Sequence, residues 1–341
     1  MKGLQVFLSD NISVKGQETT CGSKMLSGYK PVFNATVVEK LENAGLIFAG
    51  RLKMNEFAPG GNIMIHNDSP CVTSIKPTYG SVSRFGFIGS TSSLEQISVA
   101  GKNISDCASL LSIISGPDEK DTSCLIKEPF EFNLNEKNDD ILKLCRIGVP
   151  VNNPAVFDAA KELEKSGAII EEFEMPLMDF IIPVYTIISS AEISSNLAKY
   201  DGLKYGYRSE KTKTLADLYR LSRSEAFGIE TKKRIMLGSF VLSSENYENY
   251  FVKALKGRTL IKNVYNDLFK RFDIIITPVN EVFTASINLA GLPAVVLPNG
   301  FQLIGDSFSE NKLVNAARIY EEIYNSSSAP PRLCVNNGDN I

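Results

Sequence analysis

The chain has 341 residues, 43% apolar and 22% charged, with a formal net charge of −3. This is an ordinary globular balance with enough length for a sizeable core, and without a long basic run it argues against sequence-independent nucleic-acid binding. A single histidine, His66, excludes a His-rich metal site, and the six cysteines show no paired spacing, so neither a zinc cluster nor a disulfide framework is expected.

Leu4 to Leu8 reads as a short strand ending at the turn residues Ser9, Asp10 and Asn11. Asn34 reads as the N-cap of a helix through Val37, Val38 and Leu41 that Gly45 closes, with a buried strand from Leu46 to Ala49. Strand, helix and strand in succession argue for an α/β sheet. A helix from about Ser105 to Ser115 stops at Gly116. Leu144 to Val149 is strand-like, Pro154 starts a helix ending before Gly167, and Ala168 to Phe173 is the next strand. Met178 to about Phe272 is mostly helical by its apolar spacing. Asp273 to Thr277, Ala294 to Leu297 and Phe301 to Ile304 read as strands, and Glu310 to Tyr324 as an amphipathic closing helix. With no break in composition, one domain over residues 1–325 and a flexible tail over 326–341 are expected. No signal peptide opens the chain and no apolar run is long enough for a bilayer, so a cytoplasmic protein without membrane contact is expected.

Gly60-Gly61-Asn62-Ile63, leading on to Ile75-Lys76-Pro77-Thr78-Tyr79-Gly80, resembles the nucleophile motif of the amidase-signature family. There the run reads Gly-Gly-Ser-Ile-Arg-Gln-Pro and continues to Leu-Lys-Pro-Thr-Tyr-Gly. The segments Asp10 to Gly16, Met54 to Ala58, Tyr200 to Gly202, Arg234 to Gly238 and Asn288 to Pro293 carry the same likeness, which spans about Gly3 to Asn325. Within the family the chain is most similar to the A subunits of glutamyl-tRNA(Gln) amidotransferases. The resemblance implies an α/β fold, a mixed β-sheet surrounded by helices, with core elements missing. It also implies glutamine hydrolysis by a lysine, a cis-serine and a nucleophilic serine, without a cofactor. Ammonia then passes to the other amidotransferase subunits, the implied partners.

Laid on that pattern, the catalytic lysine falls on Ser9 and the nucleophile on Asn62. A hydroxyl has no usable basicity at neutral pH, and a delocalised amide nitrogen cannot be activated for attack. The segment with the middle serine belongs between Ala58 and Gly60, where only Pro59 stands, a residue without an N–H for an oxyanion. Losing the helix and strand that this segment supplies is expected to leave apolar surface uncovered. Nearby, His66 reads as a polar loop residue and Cys71 as a small buried one, while Thr91, Ser92 and Ser93 read as a turn and helix cap lacking a base. The positions that hold the amino-acid end of glutamine in the family fall on Tyr185, Arg234 and Glu281. An arginine fork suits an α-carboxylate, and an acid suits an ammonium, so glutamine or glutamate is the implied ligand. Three functions stay open: a degenerate homologue unable to release ammonia, a working A subunit supplying ammonia for Gln-tRNA(Gln), or a non-catalytic amino-acid-binding or interaction protein.

Overall fold

The computed structural model describes residues 4–58, 73–134, 142–151, 153–298 and 300–326, and the backbone of 62–67. Ten strands form one sheet: β1 (Gln5–Ser9), β2 (Ile47–Leu52), β3 (Asn62–Asn67), β4 (Thr73–Lys76), β5 (Gln96–Gly101), β6 (Arg146–Pro150), β7 (Ile169–Phe173), β8 (Ile274–Pro278), β9 (Ala294–Leu297) and β10 (Phe301–Ile304). Their order is β2-β1-β3-β5-β4-β9-β10-β8-β6-β7. The sheet is mixed: β1/β2, β3/β5, β6/β7 and β6/β8 pair in parallel, and the remaining neighbours are antiparallel.

Helices cover both faces. One core takes in α1 (Thr36–Asn43), α2 (Ile104–Ile114), α3 (Pro154–Glu164) and α9 (Glu310–Ser326). The other takes in α4 (Met178–Asn196), α7 (Lys253–Leu268) and α8 (Glu281–Ala290). Strand alternation divides the sheet between them: Ile274 and Ile276 enter the first core and Ile275 the second. A smaller cluster of Met25, Phe57, Ile193, Tyr200 and Phe227 lies beside α5 (Leu215–Ala226) and α6 (Ile229–Val241). α6 packs on α4 through Gly238, where an added Cβ would stand 2.0 Å from the Ser190 carbonyl oxygen.

Two expectations are corrected. The N-cap of α1 is Ala35; the Asn34 Oδ1 instead accepts the Lys15 N–H at 2.7 Å, tying two loops together. His66 lies in β3 opposite Phe7, within a strand and not in a loop. β3, headed by Asn62, is paired with β1 on one side and β5 on the other. Pro59, Gly60, Gly61, Cys71 and the tail beyond Ser326 lie outside the described residues.

Candidate functional site

Ser9 ends β1 and is 7% exposed. Its carbonyl accepts the Ile12 N–H at 3.1 Å, closing the turn that follows the strand. Arg51 of β2 reaches across this turn: Nη1 donates to the carbonyls of Ser9 (3.3 Å) and Ile12, and Nη2 donates to Thr19 Oγ1 at 3.0 Å. Arg51 also faces Asp10 at 4.0 Å. Burial pushes its pKa down, but a guanidinium is still no proton acceptor. Next to Asp10, burial pushes the Cys21 thiol well up, and Asp10 and Glu95 push it further, so it stays protonated. Lys199, whose pKa burial lowers, also faces that thiol and lies over the Tyr200 ring.

Asn62 stands opposite Gln96 at the start of β3, and Ile65 stands opposite Leu8. The antiparallel register therefore brings positions 9 and 62 to the same end of two adjacent strands. At that end Gln96 Oε1 and Asn11 Oδ1 are buried without a hydrogen-bond partner among the described residues.

Tyr185 comes from α4, Arg234 from α6, and Glu281 is the first residue of α8, just after the N-cap Asn280. Three distant segments are thus brought within electrostatic reach. Burial pushes the Tyr185 hydroxyl up to about 12; Arg234 opposes the shift, and Glu95 and Glu281 add to it. Tyr185 and Arg234 are half-buried and Glu281 is exposed. Beside Arg234 is a cavity of about 10 Å³, lined also by Glu56, Phe57, Ser90 and Thr231. It has room for no more than one water. Arg234 and Glu56 line this cavity, whereas Tyr185 and Glu281 do not.

Sequence reasoning missed the acids that hold this region. The Glu56 carboxylate accepts the Gly228 N–H at 2.9 Å and the hydroxyls of Thr231 and Ser23, fixing the start of α6. Glu95 accepts from Ser90 Oγ at 3.0 Å, and Ser90 N–H also points to it. Thr91 to Ser93 form the expected turn, but β5 follows, not a helix. Ser93 does have a carboxylate: its N–H and hydroxyl donate to Glu192, while Arg258 Nη1 donates to Ser93 Oγ at 2.7 Å. With Arg258 also bonded to the carbonyls of Ser93 and Leu289, this is a clamp between loop, α4 and α7. Glu56 alone had a sequence signal, inside the run Met54 to Ala58.

The amidase family pattern matches residues 1–63 and 71–296. The A subunit of glutamyl-tRNA(Gln) amidotransferase from Lachnoclostridium phytofermentans is 37% identical over an alignment covering 94% of this chain and 83% of that protein. That alignment is 414 positions long, so many residues of the relative have no counterpart in a chain of 341. The crystal structure of the corresponding A subunit from Thermotoga maritima superposes with a TM-score of 0.70 at 28% identity, covering 94% of this chain and 84% of that one. The peptide amidase of Stenotrophomonas maltophilia shares the fold, with a TM-score of 0.74 at 19% identity over 98% of this chain and 85% of that one. No helix among the described residues is long and apolar enough to cross a membrane. The fold, the family pattern and the identity agree: this chain belongs to the amidase family and is a homologue of the glutamyl-tRNA(Gln) amidotransferase A subunits.

Proposed function

We propose that this chain is a degenerate homologue of the amidotransferase A subunits, cytoplasmic, which does not release ammonia from glutamine but retains a weak α-amino-acid site. One observation carries the catalytic half: serine stands at position 9 and asparagine at 62, with only Pro59 between Ala58 and Gly60. Acyl transfer needs a nucleophile and a proton acceptor joined through hydrogen bonds. The cation bonded beside position 9 is Arg51, which accepts no proton.

The binding half rests on Tyr185, Arg234 and Glu281, supported by the charges of Arg234 and Glu281 both acting on the Tyr185 hydroxyl. Arg234 takes the α-carboxylate of glutamine or glutamate, Glu281 the ammonium, and Tyr185 walls the pocket. Because the cavity is small, affinity is expected near the millimolar range, roughly 4 kcal/mol. Ligand-observed NMR with glutamine and glutamate tests it: saturable binding abolished by Arg234→Ala is expected, and binding unchanged by that substitution overturns it.

A second reading, a working A subunit that supplies ammonia with its partner subunits, is favoured by 37% identity across 94% of the chain. Ammonia release from glutamine in the presence of those subunits separates the two readings.

A further inference from the structure

We infer that the cavity between the turn Lys24–Leu26, the loop 202–211 and α5 is a binding site for a small sugar phosphate. Its volume is about 370 Å³, and Lys24, Tyr207, Glu210, Lys211 and Glu225 line it. That is room for a metabolite-sized ligand. The walls stand without one. The Tyr207 N–H donates to the Met25 carbonyl at 2.8 Å, and the Ser209 N–H to Ser222 Oγ of α5 at 3.1 Å, so the loop is fastened on both sides. Gly206, at φ +86°, lets it lie against the turn, since an added Cβ would stand 2.5 Å from Met25 Sδ. Buried Ser209 donates its hydroxyl to Glu225 at 3.1 Å, and the Tyr207 hydroxyl donates to the other oxygen of the same carboxylate at 2.9 Å.

The lining side chains name the ligand's chemistry. Neither Lys24 nor Lys211 has a hydrogen-bonded or ion-paired acceptor for its ammonium among the described residues; Lys24 Nζ lies 4.1 Å over the Tyr207 ring. Both ammoniums nonetheless act on one group. The Tyr207 hydrogen bond holds the Glu225 carboxyl below the usual carboxylate range, and Ser209, Lys211 and Lys24 lower it further. A compact ammonium with three donors suits phosphate oxygens, and two of them match the charge of a phosphomonoester dianion. Both oxygens of Glu225 already accept from the neutral hydroxyls of Tyr207 and Ser209. Glu210 has no donor of its own among the described residues. A carboxylate only accepts, so Glu210 is suited to hydroxyls of the ligand. A bare phosphate ion gains the lysines but is repelled by the carboxylates. A sugar phosphate sets its phosphate at the lysines and brings hydroxyls that turn the carboxylates into acceptors.

Phosphorus NMR titration of the purified full chain with ribose 5-phosphate, glucose 6-phosphate and inorganic phosphate tests this. At least one sugar phosphate should bind saturably, and about tenfold or more tighter than inorganic phosphate. Lys24→Gln and Lys211→Gln are each expected to weaken that binding by about tenfold or more, the order of one hydrogen bond to a charged group. Lys211→Arg should keep it. Glu210→Ala should lower the sugar phosphate affinity and leave that of inorganic phosphate unchanged. Both lysines are exposed, so the melting temperatures of these variants should equal wild type, which separates a lost site from a lost fold. Arg234→Ala should leave the binding intact, which keeps this site apart from the proposed amino-acid site. Binding of neither sugar phosphate, inorganic phosphate bound as tightly as both, binding indifferent to both lysine substitutions, or binding lost in Arg234→Ala overturns the inference.

Discussion

Removing the Glu56 carboxylate should unfasten the start of α6 and, with it, Arg234. Three donors converge on this half-buried group: the Gly228 N–H at 2.9 Å and the hydroxyls of Thr231 and Ser23. Thr231 and Ser23 are themselves buried, so in Glu56→Ala their hydroxyls lose an acceptor that water does not readily replace. A hydrogen bond to a charged group is worth about 1.5–3 kcal/mol. Because Glu56 is partly solvated, its three bonds should total less than three full values, and a loss of about 3 kcal/mol is expected for Glu56→Ala. Glu56→Gln keeps an acceptor oxygen and the shape, and should lose about half as much. Urea unfolding of the three proteins measures the difference, and hydrogen exchange over 228–234 should rise in the alanine variant. An alanine variant within about 0.5 kcal/mol of wild type, the range of ordinary surface changes, would refute the role given to Glu56.

Buried Lys76 donates to the Leu292 carbonyl and faces Glu310; burial pushes its pKa down to about 7 from 10.5. The unfolded chain holds that proton to higher pH, so this group makes stability rise between about pH 7 and 10.5. Lys76→Met should flatten the rise in urea midpoints across that window, and equal slopes would count against it. Restoring Lys at position 9 and Ser at position 62 together should give no glutamine turnover, because on the proposed alignment the segment bearing the middle serine is missing between Ala58 and Gly60; measurable turnover would show that alignment to be wrong. Gly238→Ala places a Cβ 2.0 Å from the Ser190 oxygen and 2.5 Å from Ser194 Cβ. It should cost about 3 kcal/mol by overpacking α4 against α6, and a melting temperature equal to wild type would contradict that packing.

Elements with strong local signals were legible. β8 and β9 are short β-branched runs ending in proline or leading to it, and α3 opens on Pro154. β3 was not legible; its pairing with β1 and β5 establishes it. Asn34 misled: its side chain found the Lys15 N–H nineteen residues away, and local capping preference lost to that contact. Tyr185, Arg234 and Glu281 were proposed from the family likeness alone, and the structure puts the charges of Arg234 and Glu281 within reach of Tyr185. The Ser93–Glu192–Arg258 clamp had no sequence signal, since its partners lie up to 165 residues apart and leave no spacing to read.

Ammonia release from glutamine by the purified full chain, alone and with amidotransferase partner subunits, bears most directly on the central claim. With asparagine at 62, serine at 9 and no middle serine, release should equal that of a boiled control under both conditions. Release well above that control, lost in Asn62→Ala, would contradict the account and identify a working amidotransferase.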